Sequence, residues 1–308
     1  ASTTLLGPVI ARFLSLKQAL GRGYDSERRV LAHLDGFLAN TAPDAADLTP
    51  ATFDAWCQTL THLRSGVRRF RMRVVRNLCL YRRRNEPTCF VPDPALFPPL
   101  HQPVRPYLFT ETEVARLIQA TTALTATAGS PLRPAVFRLG LVLLYTTGLR
   151  RGELLHLCLG DLDLVERTLW VQASKFHKSR LLPLSADAFG ELQRYLTGRA
   201  AAALPSDSAA PLLCHHQRGG PGYTGTGLRD GICHLLGVTG IRTPTGRLPR
   251  VHDFRHTFAV RALLRWYLAG ADVQAKLPLL ATYMGHVSIA STEYYLPFVA
   301  DLAAAAGE

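Results

Sequence analysis

The chain has 308 residues, 47% of them apolar, and its 35 Lys and Arg against 23 Asp and Glu give a formal net charge of +12. That is enough apolar material to bury a core, which excludes disorder throughout, and enough length for two domains of ordinary size. The longest apolar run, Leu139 to Tyr145, falls far short of the ~18–20 residues that span a bilayer, and the chain opens on no basic, then apolar, then small-residue leader, so a cytoplasmic protein with no membrane partner is expected.

Apolar periodicity predicts helices over residues 8–20, 26–39, 51–63 and 67–81, with Thr49 a candidate N-cap ahead of Pro50. Residues 1–106 are the more basic part, with 15 basic against 8 acidic residues. Within them Arg64, Arg68, Arg69, Arg71, Arg73, Arg76, Arg82, Arg83 and Arg84 follow one another with no acidic residue between. Val67, Phe70, Val74, Val75, Leu78 and Leu80 recur through the run at near-helical spacing, so one face can pack while the arginines cover the others. Guanidiniums without a counter-charge repel one another unless an anion joins them, and a polyphosphate backbone is such an anion. A plain solvated face is the bland reading. An acidic membrane surface is the other competitor, weakened because arginines interrupt the apolar face that a surface-lying helix needs. Residues 1–86 are therefore expected to form a helical nucleic-acid-binding domain. Seven prolines between Asn85 and Tyr107 predict an extended linker over 87–106.

A second domain, 107–308, is expected to begin at the capping box Thr110-Glu111-Thr112-Glu113. A helix over about 133–146 ends at Thr147-Gly148; strand character follows at 162–164, 169–173 and 180–184, predicting a small antiparallel sheet. Helical periodicity returns over 186–202, near 226–237 within a glycine-rich stretch, and at about 253–268, 272–284 and 289–295. The fold class expected is mainly α with a small antiparallel β-sheet. The six cysteines are scattered, with no C-x-x-C pair, and read as reduced thiols; Cys214-His215-His216 with Cys233-His234 is a weak zinc candidate because adjacent residues rarely chelate one ion.

For chemistry on a phosphodiester the larger domain shows neither a carboxylate cluster for metal ions nor a nucleotide-binding glycine loop. It does hold Thr147-Gly148-Leu149-Arg150-Arg151-Gly152-Glu153-Leu154, Ser174-Lys175-Phe176-His177-Lys178-Ser179-Arg180, His252-Asp253-Phe254-Arg255-His256-Thr257, and Met284-Gly285-His286 followed by Tyr294-Tyr295. Glu153, three residues after Arg150, lies on one helical face with it, and His252 and Arg255 share a face at i, i+3. His286 and Tyr295 are nine residues apart and converge only if the chain turns between them, which Gly285 and Ser288 permit.

In order and spacing these segments resemble the motifs of the tyrosine recombinase (phage integrase) family, from about residue 107 to 300. The first segment more loosely resembles that family's helical, SAM-like core-binding domain. The resemblance implies an α+β catalytic domain that closes with the first around duplex DNA as a C-shaped clamp. It also implies strand transfer without cofactor, metal or ATP, and a homo-tetramer, or one with related recombinase subunits, acting on two DNA sites. Tyr295 would attack the scissile phosphate, leaving a 3′-phosphotyrosyl link and a free 5′-hydroxyl. Arg150 and Arg255 would hold the non-bridging oxygens, Glu153 would orient Arg150, and His286 would donate a further hydrogen bond. His252 would assist proton transfer at the nucleophile and Lys175 would protonate the 5′ oxygen. Two alternatives stay open: Tyr294 for the nucleophile, and Lys178 for the general acid, since Ser174-Lys175-Phe176 lacks the glycines usual around that lysine. Type IB topoisomerase chemistry and a catalytically idle DNA-binding protein are the competing functions. The segments look most like transposon-associated members, which implies integration, excision or transposition of a mobile element beside a bacterial nucleoid.

Overall fold

The computed structural model describes residues 4, 6–41, 47–99, 105–174, 178–215, 222–286 and 288–299, without side chains over 173–178. The chain divides into two compact units, Ala1–Val104 and Arg105–Glu308.

The first unit holds α1 (Gly7–Ala19), α2 (Asp25–Thr41), α3 (Pro50–Gln58) and α4 (Ser65–Arg82). α3 starts where Thr49 accepts the Thr52 N–H and Pro50 fills the first turn. Met72, Val74, Val75, Leu78 and Cys79 of α4 are buried and join one core with Phe13, Leu31, Leu34 and Trp56. Trp56 is wholly buried, and its indole N–H donates to His33 Nδ1 at 3.0 Å, so the ring brings no unmet donor into the core.

The proline-rich stretch departs from the linker expected of it. Up to residue 99 it lies on the first unit: Cys89 and Phe97 are buried, and Phe90 and Val91 pack against the same core. Arg69 and Arg76 of α4 donate to the carbonyls of Pro98 and Pro92 at 2.7 and 3.1 Å. The strip pairs with no strand and is bent by a 3-10 turn at Pro94–Leu96; the Arg69 and Arg76 guanidiniums satisfy its Pro98 and Pro92 carbonyls, while the aromatic residues between prolines reach the core.

The second unit holds α5 (Glu111–Ala120), α6 (Arg133–Thr147), α7 (Arg151–His156), α8 (Ala186–Ala201), α9 (Gly225–Val238), α10 (Val251–Leu268), α11 (Val273–Met284) and α12 (Ala290–Glu293). Its strands are β1 (Leu162–Asp163), β2 (Thr168–Ser174) and β3 (Lys178–Pro183), paired antiparallel in the order β1-β2-β3. α5 opens on the reciprocal Thr110–Glu113 cap. α6 is apolar nearly all round, as a helix enclosed on every side must be, and packs against α5, α8, α9 and α10. Across the sheet Leu169 faces Leu182, Trp170 faces Leu181 and Val171 faces Arg180. Leu169, Val171 and Leu182 are buried while Trp170 and Leu181 are exposed, so alternation sets one face on the core and one in solvent. The fold class is the one expected, mainly α with a small antiparallel sheet. Among the described residues no helix is long and apolar enough to cross a membrane.

Candidate active site

α6 ends on Gly148 in the left-handed region (φ 62°), where a Cβ would come within 2.5 Å of the Phe258 ring. The sharp turn makes Arg150 the N-cap of α7. Its main-chain N–H donates to Glu153 Oε2 at 2.9 Å, its Nη1 to Glu153 Oε1 at 2.7 Å, and its Nη2 to the Gly285 carbonyl at 2.9 Å. Arg180 Nη2 donates to Glu153 Oε2 at 2.8 Å. Burial alone would raise the Glu153 pKa, but the bonds from Arg180 and the Arg150 N–H outweigh it and hold the carboxyl at about 2.

Arg255 comes from the second turn of α10 and is only 2% exposed. Nη1 donates to the Gly148 carbonyl at 2.7 Å and Nη2 to the Met284 carbonyl at 2.5 Å. Burial, then the nearby Arg150 charge, bring its pKa down to about 9, with Glu153 and Tyr295 opposing, so the group stays charged at neutral pH. His252 lies on the exposed side of the first turn, its ring edge-on to His256 at 4.6 Å. Desolvation by the packed surroundings, then Arg255 and Arg250, hold its pKa below the usual imidazole value.

α11 stops at Gly285, again left-handed (φ 64°), where a Cβ would lie 3.0 Å from Arg180 Nη1. That reversal, followed by the single turn of α12, brings His286 and Tyr295 together. His286 Nδ1 lies 2.7 Å from Thr292 Oγ1, and the imidazole and phenol rings are near parallel with centroids 6.3 Å apart. Tyr295 is 3% exposed and its hydroxyl lies 3.2 Å from His256 Nδ1. Burial raises its pKa while Arg255 and Arg150 draw it down. Burial, then the charge of His252, hold His256 at about 4; burial, then Arg255 and Arg150, do the same for His286, so both are neutral at pH 7. Tyr294 is 37% exposed.

Arg150, Glu153, Arg255, His286 and Tyr295 thus converge, with His252 one ring behind. The histidine hydrogen-bonded to the tyrosine is His256, one helical turn on from His252; its i, i+4 spacing on α10 was the available signal. Arg180 is the other group that sequence reasoning missed. Lys175 lies outside the described residues, and Lys178 begins β3 without a described side chain. A cleft of about 540 Å³ beside the site is lined by Arg150, Arg151, Arg229, Arg250 and His252.

On the first unit, Arg64, Arg73, Arg83 and Arg84 are exposed, while Arg68, Arg69, Arg71, Arg76 and Arg82 are half-buried. The run is not wholly without counter-charge: Arg82 pairs with Asp47 and Glu86, which stand outside the run in sequence and are brought to it by the fold. At the zinc candidate, Arg199 Nη1 donates to Cys214 Sγ at 3.0 Å, His215 stacks on Tyr223, and His216 lies outside the described residues. Among the described residues no three His, Cys, Asp or Glu side chains gather as metal ligands.

Two fixed cations, a neutral imidazole with its Nε2 left to donate or accept, and a phenol bonded to a neutral imidazole form a site for a tetrahedral anion attacked by oxygen. Guanidiniums already held by carbonyls need little rearrangement when such an anion arrives.

Residues 108–298 match the model of the phage integrase family. The Sinorhizobium fredii protein y4rB, named for the integrase/recombinase class, is 31% identical over 93% of this chain and 91% of its own length. The tyrosine recombinase XerC of Bacillus licheniformis is 36% identical over 49% of this chain and 46% of its own. Among solved structures, XerH site-specific recombinase bound to palindromic difH substrate superposes with a TM-score of 0.67 at 17% identity, covering 92% of this chain and 79% of that one. The Tn1549 transposon integrase in complex with transposon right end DNA gives 0.64 at 17% identity over 94% of both chains. At those identities the solved structures speak for the fold; the family rests on the sequence matches. The chain belongs to the phage integrase family of tyrosine recombinases, enzymes that transfer DNA strands.

Proposed function

We propose that the protein is a site-specific recombinase that cuts and rejoins duplex DNA through Tyr295, acting as a tetramer on two sites in the service of a mobile element. The observation that carries this is the Tyr295 hydroxyl, held by His256 beside the buried Arg255 and the carboxylate-anchored Arg150. A phenol is a poor nucleophile at neutral pH, and it needs both a base and a neutralised phosphate. His256, neutral at pH 7, takes the phenolic proton as Oη attacks phosphorus. Arg150 and Arg255 balance the charge that builds on the non-bridging oxygens, and His286 adds a hydrogen bond to one of them. The bond from phosphorus to O5′ breaks, Lys175, with Lys178 the alternative, protonates the leaving oxygen, and the 3′ end stays on Tyr295. Attack by a 5′-hydroxyl from the partner duplex reverses each step and completes exchange. His252, edge-on to His256, supports that base. The arginines on α4 and at its two ends, Arg64 through Arg84, grip the backbone of the duplex independently of sequence.

The test uses duplexes selected from a random library by binding to the wild-type protein. Incubation and denaturation leave a covalent adduct with the wild type and none with Tyr295→Phe, while Tyr294→Phe retains it. A bound duplex without adduct would make the chain a binding protein, and relaxation of any supercoiled plasmid without a site requirement would make it a topoisomerase.

A further inference from the structure

Arg180 stands where a strand would ordinarily put an apolar residue. It pairs with Val171 and lies two residues from Leu182, both buried, so alternation turns it to the inner face, and its side chain is 8% exposed. A guanidinium in that position is tolerated only if acceptors meet it. Nε donates to the Tyr283 carbonyl at 2.7 Å, Nη1 to Glu153 Oε1 at 3.2 Å and Nη2 to Glu153 Oε2 at 2.8 Å. Three of its five N–H groups, Nε included, therefore already donate within the protein from an inward-facing side chain, as suits a support more than a ligand for phosphate.

Its acceptors are the supports of the two arginines that do face the reaction. The carbonyls of Tyr283, Met284 and Gly285, the orphan acceptors at the negative end of α11, receive Arg180, Arg255 and Arg150 in turn. Each Glu153 oxygen accepts from both arginines, Oε1 from Arg150 Nη1 and Arg180 Nη1, Oε2 from the Arg150 main-chain N–H and Arg180 Nη2. Without Arg180 the carboxylate is held by Arg150 alone, so Glu153 and the guanidinium bonded to it are free to shift together away from the Gly285 carbonyl, and the Tyr283 carbonyl loses its partner in the turn that presents His286.

We propose that Arg180 is a positioning residue for strand transfer: it fixes Glu153 and the end of α11 so that Arg150 and His286 address the same phosphate. This rests on the strand-transfer reading above. Lysine, a compact point charge, cannot span the carboxylate and the Tyr283 carbonyl together, so it restores part of the function.

Wild type, Arg180→Gln, Arg180→Lys, Arg150→Gln and the Arg150→Gln/Arg180→Gln double variant are compared on one duplex selected by the wild type. Thermal unfolding, equilibrium binding and single-turnover adduct formation are measured for each. The expected result for Arg180→Gln is binding within about 3-fold of wild type with adduct formation slowed roughly 10- to 100-fold, and for Arg180→Lys an intermediate rate. The double variant should be slower than Arg150→Gln alone by much less than the factor that Arg180→Gln costs by itself, because Arg180 acts in large part through Arg150. An undiminished rate in folded Arg180→Gln, or multiplying defects in the double variant, overturns the proposal while the strand-transfer reading stands. If Arg180→Gln does not fold, the same cycle is run with Arg180→Lys and its outcome decides. Absence of adduct with the wild type on a bound duplex defeats the strand-transfer reading and this proposal together.

Discussion

Two groups of arginines, on α4 and around Glu153, use one side chain in opposite ways. On α4 and in the turn just after it, Arg73, Arg83 and Arg84 stand exposed. Around Glu153, Arg255 is 2% exposed, the Arg180 side chain 8%, and both donate to main-chain carbonyls. An exposed guanidinium costs little to keep, moves freely and is screened over a Debye length of ~10 Å at 0.1 M salt, so it attracts a polyanion without fixing where any one phosphate sits. A buried guanidinium loses hydration, and carbonyls and one carboxylate make up the loss; its position is then set before any anion arrives. Affinity and catalysis should therefore fail separately.

The widest separation is expected at Arg255. Arg255→Lys keeps the charge but cannot bond the Gly148 and Met284 carbonyls while facing phosphate, so adduct formation should fall ~10²–10³-fold with binding nearly unchanged. A comparable loss in binding would mean that the buried set also supplies affinity. Next comes Arg73→Ala/Arg83→Ala/Arg84→Ala: affinity for any duplex should drop ~10-fold or more at low salt, and the slope of log K against log salt should flatten by roughly 2–3, while the adduct rate at saturating DNA is kept. Arg69→Ala and Arg76→Ala should instead loosen the proline-rich strip, seen as lower thermal stability. Glu153 offers a pH test. Its folded pKa of about 2 lies below the unfolded value, so its stabilisation is present above pH ~4.5 and lost as pH falls toward 2, on the order of 3 kcal/mol in all. Wild type and Glu153→Gln should differ most near pH 6 and converge by about pH 2 in acid unfolding. The smallest effect belongs to Arg194, whose side chain is 66% exposed in its pair with Glu191. Arg194→Ala should change stability by less than about 0.5 kcal/mol.

Much of this was legible in the residues because it depends on local rules. Gly148 ends α6, Thr110 and Glu113 cap α5, and the separation of His286 from Tyr295 requires the turn that Gly285 supplies. What escaped depends on partners far away in sequence. Arg180 opens the strand expected over 180–184, but Leu181 and Leu182 are both apolar, so the pattern does not say which face it takes, and only the register with Val171 reveals its inward side. That register shifts between Val171 and Ser174, so alternation counted from the turn gives no guide. His256 was hidden by its neighbour, since H-x-x-R draws attention to His252. The prolines of 87–99 rule out regular helix and strand but not packing, and the strip, bent by a 3-10 turn at Pro94–Leu96, buries Cys89 and Phe97 and packs Phe90 on the core.

The sequence Tyr283-Met284-Gly285-His286 behaves as a ruler. Each residue added to or removed from a helix rotates everything beyond it by about 100° and shifts it by about 1.5 Å. One insertion before Tyr283 would therefore take three carbonyls off three arginines in a single step, whereas substitutions there act one contact at a time. Length in this stretch should be far less negotiable than composition, and relatives of the chain should vary in residues across α11 well before they vary in its count.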